Sequence, residues 1–310
     1  MPGSTPARER NADRLYARVM QHARPRRAAA ILALAAAAAI FTSCSSGGSA
    51  PSGKPASTDP GKFVWHDLTT DDPAACKKFY GALFGWEYVD TTVLGRPYTV
   101  ARVGTQPVGG IHLPAPSNAG KTPAHWLSYM SVADVDATAD KAKAAGAAVL
   151  AGPLAIGTMG RAAVLRDPQG APFGLVHLSA GDPHDPAAPV ENTFFWNEYL
   201  THDLDATLAF YNGLVPYEVT ASKSEAGAAY VVLKQNRPRA GVFRVPDSQA
   251  KVPPNWLPYV LVSDPAALAA RVGGLGGRVL LSPKPELRKG SLAIVADPTG
   301  AVVALQKFPF

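Results

Sequence analysis

The stretch FVWHDLTTDDPAACKKFYGALFGW, Phe63–Trp86, decides how the chain is read. Phe63-Val64-Trp65, running on to Thr69-Thr70, is a short run of β-formers and predicts a strand. Asp72 then precedes Pro73: an acidic N-cap that accepts an orphan amide, followed by proline at the first helical position, where no donor is lost. Cys76, Phe79, Tyr80, Leu83 and Phe84 recur at i, i+3, i+4, i+7 and i+8, the stripe of a helix buried on one side. Gly85 stands where a helix ends in a left-handed residue, and Trp86 opens the next strand.

The same design returns 131 residues later as FFWNEYLTHDLDATLAFYNGLVPY, Phe194–Tyr217. Other positions keep step at an offset of 130. Trp126-Leu-Ser-Tyr129 meets Trp256-Leu-Pro-Tyr259, Asp134 meets Asp264, Gly146 meets Gly276, and Asp167-Pro-Gln-Gly170 meets Asp297-Pro-Thr-Gly300. So many caps, turns and aromatics in register mark an internal duplication. Within each copy a strand, a capped helix and three further strands occur twice, which predicts two βαβββ modules per copy. Val108-Gly109-Gly110-Ile111 reads as a strand whose paired glycines imply a bend or a close backbone approach. The copies span 62–180 and 192–310, joined by a proline-rich linker at 181–191.

The formal charge of +6 sits at the N-terminus. Residues 1–43 carry seven Arg and two acids, which leaves 23 basic and 22 acidic residues elsewhere. A folded part without basic surplus argues against nucleic acid as a partner. Arg24-Pro-Arg26-Arg27 precedes the apolar run Ala28–Phe41, of signal-peptide length and short for a membrane span. Phe41-Thr42-Ser43-Cys44 then resembles a bacterial lipobox, although leucine is more usual than phenylalanine at its first position. The expectation is a signal peptide at 1–43, lipidation of Cys44, and a Ser/Gly/Pro-rich tether at 44–61, giving export and anchoring on the outer face of a bacterial cell membrane. Cys76 lies on the helix stripe and reads as a buried structural thiol.

With these motifs in place, the DP-x5-FYGxLFGW element, the Gly-Gly-Ile strand and the D-P-x-G turn resemble the vicinal oxygen chelate superfamily of glyoxalase I, bleomycin-resistance and ring-cleaving dioxygenase proteins. The resemblance covers nearly all of 62–310. It implies an α+β fold of tandem vicinal-oxygen-chelate-like domains, each of two βαβββ modules forming a cup-shaped mixed sheet. It also implies a divalent metal held by His, Gln and Glu inside the cup. Mapped onto this chain, the usual ligand positions fall on Trp65 and Trp196, on Ser128 and Pro258, and on Gly174 and Ala304. None is a metal ligand, and the fourth position, near Gly110–His112, is too loosely aligned to assign. His66 and His177 lie an odd number of residues from the ligand positions, so strand alternation turns them away from the cup. No metal cofactor is therefore expected.

The same alternation is used to predict the residues lining the cups. In the first copy they are Trp65, Asp67, Trp126, Ser128 and Met130; in the second, Trp196, Glu198, Trp256 and Gln306. Four Trp with equivalent carboxylates, Asp67 and Glu198, suit a flat or amphipathic small molecule. The expected function is metal-independent binding of such a molecule. The alternative is a lyase or dioxygenase of the glyoxalase type with a displaced metal site.

Overall fold

The computed structural model describes residues 57–223 and 229–308. The expected signal peptide, Cys44 and most of the expected tether lie outside the described residues. In the first domain, module one is β1 (Phe63–Thr69), α1 (Pro73–Phe84), β2 (Glu87–Val93), β3 (Arg96–Val103) and β4 (Gln106–His112). Module two is β5 (His125–Ser131), α2 (Val135–Ala144), β6 (Ala148–Ala155), β7 (Gly160–Arg166) and β8 (Pro172–Leu178). The second domain repeats the order. Its first module is β9 (Phe194–Thr201), α3 (Leu204–Leu214), β10 (Glu218–Lys223), β11 (Ala229–Gln235) and β12 (Arg237–Arg244). Its second is β13 (Asn255–Leu261), α4 (Pro265–Val272), β14 (Arg278–Leu281), β15 (Leu292–Ala296) and β16 (Val302–Gln306).

Each domain is one mixed sheet of eight strands, ordered β2-β3-β4-β1-β5-β8-β7-β6 and β10-β11-β12-β9-β13-β16-β15-β14. The central pair, β1 with β5 or β9 with β13, is antiparallel, and each of its members runs parallel to the last strand of its own module. Among the described residues every α-helix starts at an aspartate whose carboxylate accepts a first-turn amide: Asp72, Asp134, Asp203 and Asp264. These caps are local, exposed and independent of the core. Asp203→Ala is expected to lower stability by about 1 kcal/mol, read as a shift of the urea midpoint at unchanged slope.

The outer, helix-bearing faces of the two domains pack against each other. The core there is built crosswise: α2 and β5–β8 share a cluster with α3, β9, β11 and β12, including Phe173, Phe210 and Leu233. Helix α1 with β1, β3 and β4 shares another with α4, β13, β15 and β16, including Phe79, Val272 and Val303. Gly277 has no room for a side chain, because a Cβ there would lie 2.6 Å from the Phe79 ring of the other domain.

The two motifs repeated in sequence meet across this boundary. Trp126 Nε1 donates to Tyr80 Oη at 2.9 Å, and Tyr80 donates to Asp297 of the second domain's D-P-x-G turn at 3.0 Å. Reciprocally, Trp256 Nε1 donates to Tyr211 Oη at 2.8 Å, and Tyr211 donates to Asp167 at 3.0 Å. Tyr199 adds a second hydroxyl to Asp167 at 2.5 Å. The other oxygen of each aspartate accepts turn amides, such as Ala171 N at 2.9 Å and Gly300 N at 2.9 Å. At the centre, His66 and Asn197, equivalent residues of the two copies, hydrogen-bond to each other at 3.1 Å, and Ser128 donates to the same Asn197 oxygen at 2.7 Å.

Candidate functional site

The inner face of each sheet is the one turned away from the helices. Its residues follow from register. In the first domain Trp65 lies opposite Tyr129 and Asp67 opposite Leu127, while His66 pairs with Ser128 and Leu68 with Trp126. Trp65, Asp67, Leu127 and Tyr129 therefore share the inner face, and His66, Ser128 and Trp126 share the outer one. The second domain repeats this, with Trp196 opposite Tyr259 and Glu198 opposite Leu257.

This corrects part of the predicted lining. Trp65, Asp67, Trp196, Glu198 and Gln306 are on the inner faces. Trp126, Ser128, Met130 and Trp256 are not: they are in the boundary between domains, where Trp126 packs on Tyr80, Trp86 and Phe194, and Tyr217 donates to Met130 Sδ at 3.0 Å. The expectation took β5 one residue out of step with β1, and a one-residue error reverses every side chain. His66 and His177 point away from the cup, His177 toward Val132 O.

What the inner face brings together is a tetrad that the sequence reading only half found. Asp67 is fully buried. Its Oδ1 accepts from Trp65 Nε1 at 2.9 Å and from Tyr98 Oη at 2.5 Å. Tyr129 also acts on the carboxyl group, yet Oδ2 has no partner with hydrogen-bond geometry. Burial pushes the Asp67 carboxyl up to about 7, against the three hydrogen-bond donors, which favour the charged form. Gly110 lies beside it, and a Cβ there would collide with the Tyr98 hydroxyl, so the glycine pair in β4 serves the close approach its sequence implied. One step along the strands, the His112 ring stacks on Tyr98 at 6.1 Å and its Nε2 lies 3.3 Å from Thr69 Oγ1. Burial lowers the His112 pKa to about 4, leaving the ring neutral.

In the second domain Trp196, Glu198, Tyr230 and Tyr259 repeat the tetrad, with Gly241 in the place of Gly110 and in close contact with the Tyr230 hydroxyl. Trp196 Nε1 donates to Tyr230 Oη at 3.3 Å. Here the carboxylate has a cation: Glu198 accepts from Tyr259 Oη at 2.9 Å and from Arg288 at 2.6 Å. The guanidinium carbon lies 5.3 Å from the Tyr259 ring centroid. Arg288 also donates to Gln306 at 3.0 Å, and Gln306 is fixed in turn by Ser291 and the Lys307 carbonyl. Trp196, Tyr230 and Phe243 are only half-buried, whereas the first domain's tetrad is buried throughout.

The tyrosines and Arg288 were missed for different reasons. Tyr129 and Tyr259 were visible as the last residue of the repeated W-L-x-Y, and the repeat of Tyr98 at Tyr230 was there to be counted. Arg288 comes from a loop longer than its four-residue counterpart in the first copy, Ile156–Met159, so no repeat could flag it.

Two family profiles match the chain. That of the Glyoxalase/Bleomycin resistance protein/Dioxygenase superfamily covers residues 62–175, and that of a glyoxalase-like domain covers 186–305. The chain belongs to this superfamily. It is 36% identical over 247 residues to CFP32 of Mycobacterium tuberculosis, a protein with the provisional name of glyoxylase, across 78% of this chain and 93% of that one. It is 30% identical over 260 residues to the anthracycline biosynthesis protein DauV of a Streptomyces species, across 78% and 91%. Among solved structures, the Mn(II)-bound glyoxalase of Novosphingobium aromaticivorans aligns with a TM-score of 0.54 at 14% identity, over 81% of this chain and 83% of that one. A catechol 2,3-dioxygenase aligns at 0.50 and 16%, over 81% and 88%. At such identities these two establish the tandem fold and nothing finer.

The metal that the superfamily implies does not fit the residues at the positions mapped for it, which in the second copy are Trp196, Pro258 and Ala304. At the first-strand position Trp65 offers an indole N–H, which is spent on Asp67 and Tyr98. At Gly174, the position of the late Glu, the space a side chain would need is filled by the Tyr129 ring. Among the described residues no three His, Cys, Asp or Glu side chains are grouped to hold a metal ion.

Proposed function

We propose that this superfamily member is an exported, lipid-anchored protein that binds a small aromatic or amphipathic molecule in its cups, without the metal usual in its relatives. The observation that carries the reading is the pair of inner-face tetrads. A Trp, a carboxyl group and two Tyr converge in each domain, while an indole and a phenol ring fill positions that relatives give to metal ligands. Aromatic walls with a few fixed polar groups are the usual make-up of a small-molecule site. The likeness to a protein of anthracycline biosynthesis is in keeping with a flat organic ligand. The anchoring rests on the sequence of residues 1–44 alone.

The full chain, purified in detergent and dialysed, is expected to retain no stoichiometric metal and to show ligand-dependent changes in Trp fluorescence across a panel of small aromatic compounds. One equivalent of Mn, Fe, Ni or Zn per chain would overturn the reading in favour of a lyase or dioxygenase with a displaced metal site. Silence of the whole panel would overturn binding itself. The lipid is tested by mass: Cys44→Ala abolishes the acyl mass increment and membrane retention if the anchor is as proposed.

A further inference from the structure

The duplication lets one cup be read with the other. Trp65, Asp67, Tyr98, Gly110 and Tyr129 correspond to Trp196, Glu198, Tyr230, Gly241 and Tyr259. The second cup contains a planar organic cation that the chain supplies itself. Arg288 pairs with Glu198 at 2.6 Å and lies over the Tyr259 ring, the combination of carboxylate and aromatic face by which proteins recognise amidinium and guanidinium groups.

Arg288 comes from the connection between β14 and β15, residues 282–291, which is held against its backbone preference. Arg288 and Lys289 both adopt left-handed conformations, with φ of 46° and 53°. Such residues cost energy that the surroundings must offset, and the contacts of Arg288 with Glu198, Tyr259 and Gln306 supply the offset. The first domain's counterpart, between β6 and β7, is four residues long, Ile156-Gly157-Thr158-Met159, and contains no cation. Ile156 and Met159 join the inner-face cluster with Trp65 and Tyr129. Asp67 thus keeps the carboxyl group and the aromatic face but has no ion-pair partner among the described residues, and its Oδ2 is buried without a partner of hydrogen-bond geometry. Burial raises its pKa, as expected of a carboxyl group taken out of water.

We propose that the first domain's cup is a site for an organic cation, an ammonium, amidinium or guanidinium on a small apolar body, which meets Asp67 and Tyr129 as Arg288 meets Glu198 and Tyr259. This rests on the cup-binding reading above and names the cup and the ligand class. Met159 belongs to the same inner-face cluster as Trp65 and Tyr129, in a short loop whose Gly157 and Thr158 are exposed, and its flexible thioether is the group that a cation there displaces.

The test is a titration of the full chain with benzamidine and with its neutral isostere benzamide, followed by calorimetry and Trp fluorescence. Benzamidine is expected to bind at one site per chain, at least tenfold more tightly than benzamide. Asp67→Asn, which keeps shape and removes the charge, is expected to weaken benzamidine at least tenfold and to remove its preference over benzamide. Met159→Arg, which supplies the second domain's solution in the first, is expected to abolish benzamidine binding with no loss of thermal stability; it keeps the test valid should Asp67→Asn fail to fold. Equal affinity for the two probes, or benzamidine binding indifferent to both substitutions, overturns the cation site while leaving cup binding standing. No response to either probe, with the aromatic panel also silent, overturns both.

Discussion

Asp167→Ala is expected to destabilise the protein by roughly 3–4 kcal/mol, one of the largest losses available to a single substitution outside the hydrophobic core. The carboxylate is the meeting point of four donors. Oδ2 accepts the Tyr199 and Tyr211 hydroxyls at 2.5 and 3.0 Å, and Oδ1 accepts the amides of Gln169 and Ala171 at 3.0 and 2.9 Å. Removing it leaves two buried phenol hydroxyls of the other domain without acceptors, together with the amides of its own turn. A buried donor left unmatched costs about 1–3 kcal/mol, and the turn amides recover part of theirs from water, which sets the sum. Tyr211→Phe removes only one participant and is expected to cost about 1 kcal/mol. Urea unfolding of both variants checks the ratio. A loss below about 1 kcal/mol for Asp167→Ala would show that the boundary between domains is held by apolar packing alone.

The second large effect is on acid stability. His66 is buried at the domain boundary, stacked on Phe194 with ring centroids 4.1 Å apart, and burial lowers its pKa to about 4 despite the hydrogen bond to Asn197. The unfolded chain, with an ordinary histidine near 6.5, binds this proton at higher pH than the folded one. Stability from the neutral ring is thus complete above pH 6.5 and is lost as pH falls from 6.5 through about 4. A shift of this size is worth about 3 kcal/mol.

His112 adds a loss of the same sign over the same interval. Asp67 opposes both. Its folded pKa of about 7 lies above the ordinary carboxyl value, so its contribution is complete below the unfolded pKa and lost as pH rises from about 4 through 7. The wild-type profile is consequently flatter than any one of these groups would make it. The difference between wild type and His66→Gln isolates the first group. Relative to wild type, His66→Gln is expected to gain about 3 kcal/mol between pH 7 and pH 4, by guanidinium unfolding at each pH. Parallel profiles would mean that the ring takes up its proton at the same pH in the folded and the unfolded protein.

The elements of the fold were legible because their signals are local. A helix announced by an aspartate cap, a stripe at i, i+3 and i+4, and a glycine stop needs no knowledge of the rest of the chain, and the four α-helices of the described residues start at the kind of cap expected. The inner face was less legible because it is set between strands. Whether Trp126 or Tyr129 faces the cup depends on which residue of β5 lies opposite Trp65, and nothing within β5 reveals that. Trp126 and Trp256 also have the composition of a ligand-binding wall; their indole N–H groups are instead engaged by Tyr80 and Tyr211 at the boundary. Arg288 was hidden for a third reason: a basic residue in a loop is ordinary until its carboxylate partner, 90 residues earlier, is seen beneath it.

The crossed clasp of each half's aspartate turn with the other half's tyrosine has a consequence for how the two copies can change. Tyr80 is tied to Asp297 and Tyr211 to Asp167, so a substitution in one copy is felt by its twin, and neither outer face can drift alone. The inner faces carry no such mutual obligation. There one copy has a short loop with Met159, and the other has a longer one that delivers Arg288. The shared seam therefore couples the two halves, while each cup is shaped by its own loop.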